Sequence, residues 1–197
     1  MNTDQLNQLR ERVSRAAAAP GFRHHTWFVR WHLEVMERIA LELLERYPEA
    51  DREIVLALVW LHDYGKILDF DHQYEVSLSE SPRLMSELGF DDAFARRVVG
   101  MIETIDKKLE LDLHEAEIDV RIASSADAAS HWFGPFMQLY WYENPDMSIE
   151  ELLESNRRKI AKDWDRKMVL PEVREALERK HQFLLEQAGE LPERFLS

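Results

Sequence analysis

Cysteine is absent from the chain, which excludes disulfides and thiolate metal sites and leaves any bound metal to histidine, carboxylate, carbonyl or water ligands. No run approaches the roughly 20 apolar residues that a membrane span requires. The N-terminus carries Asp4, Arg10, Glu11 and Arg12 where a signal peptide would have an apolar core. These absences predict a cytoplasmic protein with no membrane partner. Positive charge is also scarce: 25 Lys and Arg stand against 38 Asp and Glu, for a net charge of −13. That leaves no basic stripe to neutralise a row of phosphates, so no nucleic-acid polymer is expected as a partner. A small phosphorylated molecule needs only a local positive patch, often supplied by a metal ion. Repeats, low-complexity tracts, strand patterns and long linkers are missing too.

What is present is helical periodicity. With 197 residues and 45% hydrophobic composition, the chain can bury one substantial core. The expectation is a single all-α domain over residues 1–197, made of an accessory N-terminal helix within 1–20 and a core with C-terminal helices over 24–190. Residues 3–18 combine a capping Thr3 with Leu6, Leu9 and Val13 at helical spacing and end before Pro20-Gly21. A second helix is predicted from about 24–26 to 47, with Phe28, Trp31, Val35, Ile39 and Leu43 as its apolar stripe and Pro48 as its stop. The apolar run 54–61, capped by Asp51, reads as a largely buried helix. Gly65 is the residue type that best takes the left-handed position closing such a helix, which would put His62 and Asp63 on its last turn. Further helices are predicted over about 76–88, 91–106, 114–131, 148–164 and 171–188.

The His62-Asp63 pair offers nitrogen and oxygen to a divalent ion, but two ligands alone make a poor site. His32 and Asp127 are the evident further donors, since each interrupts an apolar or small-residue face of a helical pattern. Asp127 lies among Ala123, Ala126, Ala128 and Ala129, which argues for burial, and a buried carboxylate needs a partner charge. The order His32, His62-Asp63, Asp127, with Leu61-His62-Asp63-Tyr64-Gly65-Lys66, the helical flank of His32 and Ser125-Ala126-Asp127-Ala128, resembles the HD-domain superfamily of metal-dependent phosphohydrolases. The tail from Arg157 to Glu190 is similar to the ending of small stand-alone bacterial members. The resemblance implies an all-helical fold with a metal pocket between helices, a metal set of His32, His62, Asp63 and Asp127, and phosphoric ester hydrolysis. In binuclear members, further histidines stand where this chain has Ser77, Thr104 and Ile105. One divalent ion (Mn, Fe, Co, Ni, Zn or Mg) is therefore expected, with His72, Glu75 or Glu103 as the residues that would have to rebuild a second site.

Two imidazoles and two carboxylates leave two positions on a six-coordinate ion, room for a water and a phosphate oxygen. Asp63 is the candidate to orient that water, and Lys66 or Arg23 to neutralise the phosphate of a small substrate such as a nucleotide. For Lys66 the alternative is a helix C-terminal lysine favoured by the macrodipole. His25 is a candidate on the pocket rim, or an ordinary helix-start residue. The aromatic run 132–142 reads as core, as the interface of a homodimer, or as a wall on which a planar group stacks. From the charged run 157–162 one basic group could lean into the pocket. Two other functions stay open: a non-catalytic metal-binding or ligand-sensing module, and an HD-type di-iron oxygenase, although those enzymes carry HDxxH where this chain has Lys66.

Overall fold

The computed structural model describes residues 3–194, and among them no strand occurs. The helices are α1 (Thr3–Ala17), α2 (Glu34–Arg46), α3 (Arg52–Leu61), α4 (Tyr64–Leu68), α5 (Gln73–Glu87), α6 (Asp92–Asp106), α7 (Ile118–Ser130), α8 (Phe136–Glu143), α9 (Ile149–Lys162) and α10 (Pro171–Gln187). Two wide π-helical turns interrupt the regular pattern, Val29–Leu33 leading into α2 and Asp163–Lys167 leaving α9. The cap expected at Thr3 lies outside the described side chains.

The core is built around α3 and α7. Every residue of α3 from Ile54 to Leu61 is buried, and α3 packs against α1, α2, α6 and α7, while α7 packs against α2, α3 and α6 as well. In α7 small residues take the buried positions: Ala123, Ser124, Ser125, Ala126, Ala128 and Ala129 are all buried, which lets neighbouring backbones approach closely. Asp51 starts α3 by accepting hydrogen bonds from the N–H groups of Glu53 and Ile54 at 3.0 and 3.2 Å, satisfying donors that a first turn leaves free. Ser148 and Glu151 form a reciprocal capping box at the start of α9.

Three expectations need correction. The helix predicted from 114 begins at Ile118, after a separate single turn over Leu113–Glu115. Residues 21–27 form successive turns, so the helix bearing His32 starts at about Phe28 and not at 24–26. Gly65 does not close α3 in a left-handed conformation: among the described residues only Gly89, Gly134 and Gly189 have positive φ. Helix α3 ends at Leu61, and Asp63, at φ −112° and ψ 15°, is a joint from which α4 restarts. Gly65 lies inside α4, where a Cβ would collide with the carbonyl oxygen of Gln73 and the backbone nitrogen of Ser77. Its N–H donates to Ser77 Oγ at 3.1 Å. The glycine is there for the close approach of α4 to α5.

Candidate metal centre

Three non-consecutive segments bring the expected donors together. His32 comes from the π-helical turn before α2, His62 and Asp63 from the α3–α4 joint, and Asp127 from the middle of α7. His32 Nε2 and His62 Nε2 are 3.2 Å apart. Asp63 Oδ2 is 3.7 Å from each of these nitrogens, and Asp127 Oδ1 is 3.8 Å from each. His32, His62 and Asp127 are buried, with only 1%, 5% and 4% exposure.

The hydrogen bonds around the cluster fix its protons. His62 Nδ1 faces the carbonyl oxygen of Val59 at 3.1 Å; a carbonyl only accepts, so the proton is on Nδ1. Ser130 Oγ donates to the carbonyl of Asp127 at 2.7 Å, so at 2.8 Å it accepts from His32 Nδ1. Both Nε2 atoms therefore present lone pairs toward each other and toward two carboxylate oxygens. Like charges and lone pairs held this close repel unless a cation lies between them. Donor atoms bound at about 2.1 Å to one ion stand roughly 3.0–3.4 Å apart, near the observed spacing, so this donor set fits a divalent ion. Burial pushes the His32 imidazole well below its usual range, with His131 adding to this and Asp127 opposing it. Burial pushes Asp63 up, but Lys66, His62 and His32 outweigh it and hold the carboxyl well below the usual carboxylate range. Asp127 is likewise held low against its burial, chiefly by Lys167 and His131.

A second layer of charge lies behind Asp127, of which sequence reasoning reached only Lys159, as a member of the charged run 157–162. Lys167 forms an ion pair with Asp127 Oδ2. Asp163, fully buried, takes Lys159 Nζ at 3.1 Å and His131 Nδ1 at 3.0 Å. Burial brings Lys159 down to about 7 and, with Lys159 nearby, His131 down to about 4. Asp106 also approaches the cluster, lining a crevice with His62, Asp63 and Ser77; burial, helped by Asp63 and opposed by Lys108, pushes it up to about 6.

The cluster opens through His32, Lys66 and His131 onto a cleft of about 240 Å³. Arg23, Lys66 and Lys162 bring positive charge to this cleft, Lys159 lines it while bound to Asp163, and Trp27, Phe28, Phe70, Phe136 and Tyr140 give it aromatic walls. Lys66 joins the two places, with Nζ 3.1 Å from Asp63 Oδ2 and 5.5 Å from the centre of the Phe28 ring. The cleft thus receives Arg23 and Lys66 but not His25, which is exposed and turns Nδ1 to the carbonyl of Phe22 at 2.9 Å. His24 lines the cleft in its place, bonded to Glu143 at 2.7 Å. The aromatic run divides: Trp132 stacks on Trp164 in the interior, Phe136 and Tyr140 line the cleft, and Tyr142 is exposed. Of the positions bearing on a second ion, Ser77 is buried against Gly65, Thr104 Oγ1 donates to the carbonyl of Gly100, and Ile105 is in the core. His72 and Glu103 pair with Asp69 and Lys107 at exposed positions.

No protein-family model matches the chain, and no solved structure matches it. Among curated proteins, the chain is 25% identical over 116 residues to the 3'-5' exoribonuclease YhaM of Listeria innocua, and equally to YhaM of Listeria monocytogenes. The match covers 57% of this chain and 35% of either relative, so the chain spans about a third of the length of the curated relatives it matches. The similarity is distant, and its direction is toward hydrolases. No helix among the described residues is long and apolar enough to cross a membrane.

Proposed function

We propose that the protein is a metal-dependent phosphohydrolase that cleaves a small phosphorylated molecule with a planar part, a nucleotide being one such substrate. The observation that carries this reading is the juxtaposition of four convergent lone-pair donors with a cationic, aromatic cleft in a protein of net charge −13. A divalent ion bound by His32, His62, Asp63 and Asp127 would supply an acidified water and offset the charge that develops on phosphoryl oxygens. The chain's own groups do the rest. Asp63 stays ionised at neutral pH and orients a water by accepting its hydrogen bond. Lys66, held between Asp63 and the Phe28 ring, places an ammonium where cluster and cleft meet. Arg23, anchored by a 2.8 Å bond to Asn144 Oδ1, and Lys162 bring further charge to the phosphate. Phe136 and Tyr140 offer faces to the planar part.

Metal analysis of the purified protein, together with a panel of phosphate esters assayed with added Mn, Co, Mg and Ni, tests the proposal. Hydrolysis that depends on the added ion and stops with a chelator is the expected result. Bound metal without turnover across the panel would favour the ligand-sensing module instead. A second reading, attack on the phosphodiester at an RNA 3' end, is favoured by one observation, the similarity to YhaM.

A further inference from the structure

Three imidazoles, not two, are wired in the same way around Asp127. His32 gives its Nδ1 proton to Ser130, His62 to the Val59 carbonyl, and His131 faces the Asp163 carboxylate through Nδ1 at 3.0 Å. Both ring nitrogens of His131 face carboxylates, but Asp163 lies nearer to Nδ1 than Asp127 lies to Nε2, 3.0 against 3.3 Å, which places a single ring proton on Nδ1 and leaves Nε2 a lone pair. That lone pair lies 3.3 Å from Asp127 Oδ1, closer than the Nε2 atoms of His32 and His62 at 3.8 Å. His131, His32 and Asp127 each place one donor atom within 4.8 Å of a donor atom of the other two. A carboxylate behind an imidazole is the usual support of a metal-bound histidine, fixing its tautomer and raising its basicity. The support here is firmly seated, since Asp163 is fully buried and itself held by Lys159. The ring of His131 is clamped as well, 4.3 Å from Phe136 and nearly parallel to His32 at 4.9 Å.

We propose that His131 is a further protein ligand of the metal centre, so that the ion is held by three imidazoles and two carboxylates. This rests on the reading of the cluster as a metal site. A six-coordinate ion then keeps one exchangeable position, not two, so water and a substrate oxygen compete for it unless a ligand yields. Three imidazoles also favour Fe, Co, Ni or Zn over Mg, which prefers oxygen and its own waters.

The full chain, labelled with ¹⁵N-histidine and loaded with Zn²⁺, decides the matter by counting imidazoles. Three Nε2 resonances shifted on loading are expected, and two in His131→Gln. The Mn²⁺ dissociation constant should rise at least 10-fold in His131→Gln and about 10–100-fold in Asp163→Asn, which keeps the imidazole but weakens its support. Circular dichroism on the same samples checks that each variant folds, and the count in the parent needs no variant. Two shifted resonances in the parent, or a His131→Gln protein with unchanged Mn²⁺ affinity, would overturn the assignment. Three shifted resonances without hydrolysis of any ester would keep the ligand set and remove the phosphohydrolase reading. Hydrolysis with two shifted resonances would do the reverse, and failure to bind any ion would remove both.

Discussion

Asp63 differs from its neighbour His62 in having two oxygens, so in the proposed phosphohydrolase one would face a bound ion while the other would accept a hydrogen bond from the attacking water. Positioning of this kind is worth roughly 10²–10⁴-fold in rate. Asp63→Asn at saturating metal is expected to keep its ion and lose most activity, whereas His32→Ala and Asp127→Ala lose both; metal content and turnover measured on the same preparations check this. A fully metallated Asp63→Asn protein as active as the parent would refute the role. Gly65 makes a stability prediction of its own. Because the obstruction to a Cβ there is backbone of α5, Gly65→Ala should cost about 1–3 kcal/mol, read as a lower urea midpoint at unchanged slope. The four residues that converge could be picked out in the sequence because His32 and Asp127 interrupt apolar or small-residue patterns and His62-Asp63 stand where an apolar helix stops. His131 was missed, though a signal existed: it follows Asp127 by four residues, the spacing that puts two side chains on one helix face. The sequence pointed to His25 where the structure places His24, because the choice depends on turns over 21–27 that no periodicity announces.

Helix α7 and the π-helical turn Asp163–Lys167 together bury His131, Asp127, Asp163 and Lys167, and this makes the pair of elements sensitive to acid. In the ion-free protein, burial lowers His131 to about 4 and His32 also well below its usual value. The fold therefore favours the neutral imidazoles, while the unfolded chain takes up protons below about pH 6.5. Stability from this source is full above pH 6.5 and is lost as pH falls toward 4, with His131 alone accounting for on the order of 2 kcal/mol by pH 5. Chelator-treated protein should show a lower urea midpoint at pH 5 than at pH 7.5, and His131→Gln should flatten part of that slope. Equal midpoints would contradict it. Helices with a clear apolar stripe or cap, such as α3 after Asp51 and α9 after Ser148, were legible from sequence. The two π-helical turns were not, because a wide turn shifts side-chain register without a characteristic residue type. The turn after α9 is what brings Lys167 onto Asp127, so the ion pair behind the site was hidden with it.

At the level of the whole molecule, the all-helical fold followed from periodicity and composition, whereas the cleft did not, since its walls come from residues as far apart as Arg23 and Lys162. That cleft bears on substrate size. A single strand of RNA held through Z phosphates loses affinity with salt at a slope of about −0.7Z on logarithmic axes, and holding several needs a row of cations. Here the net charge is −13, and the cations that reach the cleft, Arg23, Lys66 and Lys162, sit in a space of about 240 Å³. A substrate with one phosphate should therefore be preferred, and the salt dependence of log(kcat/KM) should be shallow, with a slope of about −1 or less in magnitude. Arg23→Gln and Lys162→Gln are expected to raise KM several-fold with little change in kcat, because under the proposed function these cleft-lining groups would meet the phosphate away from the attacking water. The comparison that decides is a nucleoside monophosphate against a 20-nucleotide RNA, each assayed over 50–200 mM salt with the same metal. Faster turnover at the RNA 3' end with a steep salt slope would instead extend the similarity to YhaM from sequence to activity, and would require a path for the strand across an acidic surface.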